Sequence, residues 1–242
     1  MNLAKCELAI CPHCGGKKKL LRLMSGNTFN AVQWSDAKMV APMMPEVSPI
    51  QKCPECGHFY FTFDVNKEEG DDYTMECGWL NFEDAIKAKD ELNWKEANWE
   101  DSMAIIILWA YNDIIRSGEK TSKKQYEVFK NAISSMLNLS ILENNPILRS
   151  EMYREIGEFD KCIEILQNLD LKDKHLEFIA KQIALKAAEK DCKVFKIQKL
   201  DEEDSNTDNK PKERKKIIPI KYGVILLSVL LLSVIIILSL WL

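Results

Sequence analysis

The chain has 242 residues, of which 46% are hydrophobic and 29% charged, and its 33 Lys and Arg against 37 Asp and Glu give a net charge of −4. This length leaves room for one or two domains with a hydrophobic core. The slightly acidic balance excludes a strongly basic nucleic-acid binder as the class of the whole chain. The first ten residues lack the apolar stretch of a secretory signal, so we expect the N-terminal part to stay in the cytoplasm.

Two copies of one short pattern dominate the N-terminal part: Cys11-Pro12-His13-Cys14-Gly15 and Cys53-Pro54-Glu55-Cys56-Gly57. Two cysteines three positions apart on a tight turn direct both sulfurs at one point, and the following glycine accepts a backbone that a Cβ would crowd. Four such thiolates match a tetrahedral zinc ion with no vacant position, which makes the predicted site structural, and iron is the other metal that this set accepts. The predicted ligands are Cys11, Cys14, Cys53 and Cys56.

These knuckles resemble those of the zinc-ribbon and rubredoxin-like families, and the resemblance implies the same four ligands. The first knuckle by itself is also similar to the redox turn of thioredoxin-fold proteins, in which Cys11 would cycle with Cys14. That turn opens a helix, whereas Gly15-Gly16 is a poor helix start. We expect His13 and His58 to face solvent rather than bind the metal. The eight cysteines include four others, expected to be free thiols in a reducing compartment: Cys6, Cys77, Cys162 and Cys192.

Strand-forming residues surround the knuckles. We predict a strand at 17–24, a turn at 25–27, a return strand at 28–34 and a further strand at 59–65, which together make residues 1–66 a zinc ribbon. The basic residues of the first strand, beside aromatic ones, open a nucleic-acid-binding alternative; they are Lys17, Lys18, Lys19 and Arg22.

A segment between the knuckles carries a second resemblance. Residues 25–29 (SGNTF), 34–36 (WSD) and 42–45 (PMMP) resemble a segment of uncharacterised bacterial zinc-ribbon membrane proteins, a family that implies no activity. We expect the aromatic residues of this segment to lie in the ribbon core rather than to form a ligand platform.

Helical periodicity begins after a connecting segment, 67–97, that contains the first helix. The predicted helices are 82–92, 98–116, 122–139, 146–156, 160–169 and 173–192. Asn81, Asp160 and Asp173 are predicted N-caps, and Pro146 suits a first turn. Residues 103–111 are apolar on every side but too short to span a bilayer, which predicts a buried central helix. The predicted fold class is α+β, with a helical domain at 98–200.

Residues 149–163 are similar to a tetratricopeptide repeat. The residues that match its helix-contact and turn positions are Ser150, Tyr153, Gly157, Phe159 and Cys162. No equally good copy lies one repeat away, so an ordinary antiparallel bundle with one repeat-like hairpin stays an open alternative.

The polar residues of the predicted helices suggest no catalytic set. Their carboxylates, Glu151, Glu155 and Glu158, lie beside basic residues and predict a solvated face. A buried Trp109 beside an Asp113–Arg116 ion pair accounts for the polar residues of the central helix, including Asn112. His175 is predicted to be a surface residue.

The end of the sequence predicts a membrane anchor. Residues 201–220 change from acidic to basic and are expected to be a solvated linker, and 221–242 are expected to form a transmembrane helix. The uncharged run from Tyr222 to Leu242 would measure about 31 Å as a helix, enough to cross a bilayer. Lys215, Lys216 and Lys221 mark its near side as cytoplasmic. We therefore expect a tail-anchored, single-pass protein with its N-terminal bulk in the cytoplasm.

These patterns together favour an adaptor or scaffold that binds protein partners at the membrane, rather than an enzyme. No small-molecule substrate is expected. A nucleic-acid-binding ribbon held at the membrane and a thiol-redox protein are the alternatives.

Overall fold

The computed structural model describes residues 2–45, 47–73, 78–94, 100–138 and 140–198. The predicted linker 201–220 and the predicted anchor 221–242 lie outside the described residues, as does Cys77. Across the described part of the chain, no helix has both the length and the apolar character needed to cross a bilayer.

Nine short strands lie in the described part of the N-terminal region, followed by seven helices, so the fold is α+β. The strands are β1 (Asn2–Leu3), β2 (Glu7–Ile10), β3 (Lys17–Leu20), β4 (Leu23–Ser25), β5 (Val32–Gln33), β6 (Met39–Val40), β7 (Ile50–Lys52), β8 (Phe59–Phe61) and β9 (Lys67–Glu69). They form antiparallel sheets in the orders β1-β4, β3-β2-β9, β5-β6 and β7-β8. The helices are α1 (Phe82–Glu91), α2 (Glu100–Arg116), α3 (Lys123–Ser134), α4 (Ser140–Asn144), α5 (Pro146–Glu155), α6 (Phe159–Gln167) and α7 (Lys174–Ala188).

The predicted hairpin between residues 17–24 and 28–34 is wrong. The first knuckle is itself a hairpin turn, and it joins β2 to β3 with Ile10 opposite Lys17. Among the described strands β3 pairs only with β2, β4 pairs with β1 and β5 pairs with β6, so the segments at 17–24 and 28–34 do not pair with each other. The predicted strand 59–65 ends at Phe61, where a turn begins.

Most of the predicted helix starts are confirmed by capping contacts. The Asn81 side chain accepts from the Asp84 N–H and the Asp173 side chain from the N–H groups of two residues in the first turn of α7. Pro146 lies in the first turn of α5. The Asp160 cap is wrong, because α6 begins one residue earlier. The predicted helix 122–139 is too long, since α3 ends at Ser134 and the short α4 follows separately.

The central helix α2 is buried, as its apolar run predicts. Its side chains from Met103 to Tyr111 enter one core with α1, α3 and α5. Ile50, Phe59 and Phe61 of the ribbon strands belong to that same core and are 0%, 2% and 8% exposed. The ribbon strands and the helices therefore share apolar burial, which is the main favourable contribution to folding.

Residues 191–198 return to the N-terminal part of the fold. Lys196 forms an antiparallel bridge with Trp34, the Ser35 N–H donates to the Phe195 carbonyl at 2.9 Å and the Ile197 N–H donates to the Gln33 carbonyl at 2.9 Å. These bonds place the return segment on the side of β5 that β6 leaves free.

Candidate metal centre

Each knuckle is a tight turn between two antiparallel strands. In the first, the Gly15 N–H donates to the Cys11 carbonyl at 2.9 Å, and in the second the Gly57 N–H donates to the Cys53 carbonyl at 3.0 Å. Both glycines have a positive φ, 75° and 78°. A Cβ at either position would meet nothing within 4 Å, so the backbone conformation and not space selects glycine.

The two turns bring the four predicted sulfur ligands together. The sulfurs of Cys11 and Cys56 are 3.7 Å apart, those of Cys14 and Cys53 are 3.6 Å apart, and all four lie within 4.8 Å of one another. A tetrahedron with bonds of about 2.3 Å to zinc has sulfur–sulfur edges of about 3.8 Å. The four cysteines therefore fit one metal ion of tetrahedral preference.

The electrostatics of the cluster favour a cation among the sulfurs. Burial opposes ionisation of Cys53, but the N–H groups of Cys56 and Glu55 outweigh it and lower the pKa of Cys53 to about 7. The Gly16 N–H lowers the pKa of Cys14, yet the neighbouring thiols and burial raise it to about 12 overall. Burial and the neighbouring cysteines raise the pKa of Tyr60, beneath the cluster, to about 12. Four thiolates at this spacing repel one another unless a bound cation neutralises them.

The two histidines beside the knuckles face solvent, as predicted. Their rings stack on each other with centroids 4.4 Å apart and an interplanar angle of 17°. Neither His13 nor His58 belongs to the sulfur cluster. His175 is also exposed, and its Nε2 lies 3.1 Å from the Gln33 side-chain oxygen.

The surroundings of Cys11 and Cys14 differ from those of a thioredoxin-type redox turn. Strand β3 follows the turn, whereas the redox turn opens a helix whose N-terminus stabilises a thiolate. The described cysteines form no disulfide.

Carboxylates neutralise most of the basic residues on the ribbon sheet. Lys17 pairs with Glu68 at 2.5 Å, Lys19 with Asp72 at 2.6 Å and Arg22 with Glu7 at 3.9 Å. The sheet thus presents both signs of charge rather than a basic stripe.

A buried group of polar side chains, which the sequence did not reveal, joins the β5–β6 hairpin to the helices. This buried polar junction consists of Asp36, Asn112, Arg116, Glu151, Arg154 and Glu155. The Asn112 amide nitrogen donates to Asp36 at 2.9 Å and to Glu155 at 2.9 Å, and Arg116 donates to Asp36 at 2.7 Å. The opposite amide orientation would direct the Asn112 oxygen at the Asp36 carboxylate, which accepts from Arg116 and has no proton to donate, so Asp36 determines the orientation of the amide.

The predicted solvated face is therefore wrong for two of the three carboxylates, both of which lie on α5. Glu151 and Glu155 are 0% exposed. Arg154, also 0% exposed, donates through Nε to Glu151 at 2.7 Å and through Nη2 to the Lys193 carbonyl at 3.0 Å, so the return segment covers this face. Only Glu158 lies near solvent, where it pairs with Lys161 at 3.3 Å.

The Asp113–Arg116 ion pair that the sequence predicted on α2 is present, and the residues around it make more contacts than predicted. Arg116 Nε lies 2.8 Å from Asp113, as expected for that pair, and the Trp109 ring nitrogen donates to the Asp36 carbonyl at 3.0 Å. Asn112, which directly follows the apolar run of a buried helix, was the available signal of the junction, because a buried amide needs partners.

Exposed apolar side chains are concentrated between residues 23 and 45. Phe29 is 75% exposed, so the predicted place of this aromatic in the ribbon core is wrong. Phe29 lies in a turn and is not among the residues of the small ribbon core. The exposed apolar patch consists of Met24, Phe29, Met39, Val40, Met43 and Met44.

The chain was compared with known protein families, with curated proteins and with solved structures. None of the three comparisons finds a match. The likeness to zinc ribbons rests on the two knuckles and their clustered sulfurs, and the similarity of 149–163 to a tetratricopeptide repeat rests on its sequence.

Proposed function

We propose that this protein is an adaptor whose zinc-stabilised head binds protein partners, and that residues 221–242 tether the head to a membrane. The exposed apolar patch is the observation that carries the proposal. It includes four methionines and Phe29, whose exposed fraction is 75%. Of these residues, Met39, Val40 and Met44 line one cleft, and exposed apolar surface of this kind marks interaction sites. Flexible methionine side chains adapt to different partners.

The metal centre supports a structural role in this proposal. A tetrahedral ion held by Cys11, Cys14, Cys53 and Cys56 has no position left for a substrate or an activated water. The ion we propose is zinc, which accepts four thiolates without redox chemistry. Metal analysis should find about one zinc per full-length chain and none in Cys14→Ser. A visible absorbance with bound iron would replace zinc in the proposal.

Neither alternative function gains support from the described contacts. The ion pairs of Lys17, Lys19 and Arg22 remove much of the positive charge that nucleic acid would need. A redox turn needs a helix N-terminus to stabilise its thiolate, and a strand, not a helix, follows Cys14.

Affinity capture from membranes tests the adaptor proposal. After chemical cross-linking, affinity capture of the full-length chain should recover a reproducible set of partner proteins. Capture of a chain truncated at Lys221 should no longer recover the partners that reside in membranes. Met39→Ser/Met44→Ser, which leaves the knuckles unchanged, should weaken recovery. An absence of specific partners, or a turnover abolished by a point change in the helices with the fold intact, would contradict the proposal.

A further inference from the structure

A cleft lies beside the exposed apolar patch and shares Met39, Val40 and Met44 with it. The Trp34–Trp79 cleft has a volume of about 510 Å³ and lies between the β5–β6 hairpin, the end of α2 and the return segment. Its lining includes the two tryptophans together with Lys38, Arg116 and Lys196. The volume is within the range of small-ligand sites, about 300–1,000 Å³, and exceeds what one apolar side chain occupies.

One side of the cleft is apolar and open to solvent. Met39 and Met44 are each 47% exposed and Val40 is 44% exposed. The Trp79 ring, also in the lining, makes an edge contact with the Trp109 ring, with centroids 4.8 Å apart. An apolar side chain that entered the cleft would remove both surfaces from water.

Cations lie against the aromatic rings of the cleft. Lys38 Nζ is 5.3 Å from the Trp79 centroid, and Arg116 Cζ and Lys196 Nζ are 5.4 and 5.5 Å from that of Trp34. Such cation–π contacts hold the charges in place without neutralising them.

The charges at the cleft do not balance among the described residues. Lys38 pairs with Asp113 at 2.7 Å, and Arg116 pairs with Asp113 at 2.8 Å and with the buried Asp36 at 2.7 Å. Lys196 is exposed and, in the described part of the chain, has no carboxylate within ion-pair distance. The excess of one positive charge favours an occupant with one carboxylate.

The neighbouring strand favours a peptide over a small molecule. Among the described strands β6 pairs with β5 alone, so its outer edge is available to an extended chain. Addition of a peptide to an edge strand is a common mode of recognition, in which alternate side chains occupy adjacent pockets.

From these contacts we infer that the Trp34–Trp79 cleft binds an extended peptide segment of a partner protein, in which a bulky apolar residue lies within two positions of an Asp or Glu. The apolar residue enters the cleft lined by the methionines and Trp79, and the carboxylate pairs with Lys196. This inference rests on the adaptor function proposed above and specifies its binding surface.

A displayed library of random 12-residue peptides tests the inference on the full-length, zinc-loaded chain in detergent. The selected peptides should combine a bulky apolar residue with a nearby acid, and Lys196→Glu should weaken their binding about tenfold. Lys193→Glu is the matched control, because its side chain is exposed and lies outside the cleft, and it should bind like the wild type. A selection on Lys196→Glu should yield basic residues in place of the acids.

Several results would overturn the inference. They are a failure to enrich any peptide, enrichment without acidic residues, undiminished binding to Lys196→Glu, and preferential binding of a single-stranded oligonucleotide that Lys196→Glu abolishes. Zinc content and thermal unfolding of each variant establish that the fold is intact. If membrane capture recovers partners that Lys196→Glu retains, the adaptor function stands and only the cleft assignment fails.

Discussion

Gly57 closes the second knuckle in a backbone conformation that L side chains rarely adopt. Its φ is 78°, and Gly57→Ala should lower the free energy of unfolding by about 1–2 kcal/mol. Gly78→Ala is the control, because an added Cβ there also meets nothing within 4 Å but the backbone is not left-handed. Chemical denaturation of the metal-loaded chain measures both changes. Equal costs at the two positions would contradict the conformational explanation.

Glu155 makes the stability depend on pH in an unusual direction. Burial, reinforced by the charge of Glu151, raises the pKa of Glu155 well above its ordinary value. The folded chain then retains a proton that the unfolded chain releases, so this contribution to the free energy of unfolding falls as pH rises from about 4.5 toward the raised pKa.

Glu155→Gln should remove that dependence. Relative to the wild type, the variant should be more stable at pH 8 than at pH 5, because the neutral amide keeps the Asn112 contact without a titrating proton. Denaturation at several pH values measures the difference, and Glu158→Gln at a partly exposed position is the control. Parallel pH profiles for the wild type and Glu155→Gln would show that Glu155 is ionised in the folded chain.

Helix α5 and the return segment 191–198 are joined by one buried cation. Arg154 supplies the partner for Glu151 and also donates to the carbonyls of Asp191 and Lys193. Arg154→Met should cost about 3–5 kcal/mol, because it leaves a buried carboxylate without its countercharge.

A double-mutant cycle separates that charge effect from packing. Glu151→Gln/Arg154→Met should be less destabilised than Arg154→Met by itself, since the double variant leaves no unpaired charge. Glu158→Gln, which breaks a surface pair, should change the free energy of unfolding by less than about 1 kcal/mol. Additive effects of the two buried changes would exclude the pairing as their cause.

At the scale of the elements, the assignment of α5 and α6 to a tetratricopeptide-like hairpin stays a prediction. Helices α5 and α6 follow each other closely, and Ser150 and Cys162, small residues at the predicted contact positions, are both 0% exposed. A bundle hairpin would bury small residues in the same way, so these contacts do not separate the two alternatives.

At the scale of the whole molecule, the metal and the helices should unfold together. Phe59, at the end of the second knuckle, lies in the core that includes α1 and α2. Removal of the metal by a chelator should therefore lower the melting temperature of the helical circular dichroism signal, by about 2–4 °C for each kcal/mol of lost stabilisation.

The control for this experiment is the same chelator added to Cys14→Ser, which has no complete site to lose. The chelator should leave the melting temperature of that variant unchanged. A helical signal that melts at the same temperature with and without metal in the wild type would show that the ribbon and the helices unfold independently.

The sequence by itself determined the elements whose chemistry is local. Two cysteines and a glycine within five residues suffice to specify a knuckle, and Asn81, Asp173 and Pro146 specify helix starts, because each acts on neighbouring backbone groups. The membrane anchor at 221–242 is inferred in the same local way from an uncharged apolar run, and it stays a prediction.

Only the tertiary structure decided which residues pair at long range. Asp36 contacts Arg116 across 80 positions of sequence, and the i, i+4 spacing of Glu151 and Glu155 is the same on a solvated face as on a covered one. Burial depends on what packs over a residue, which is the return segment in this case. The periodicity of one helix does not indicate which other segment of the chain will cover it. The strand partners also depend on long-range contacts, since β2 pairs with β9 and β1 pairs with β4, and local strand propensity does not specify such partners.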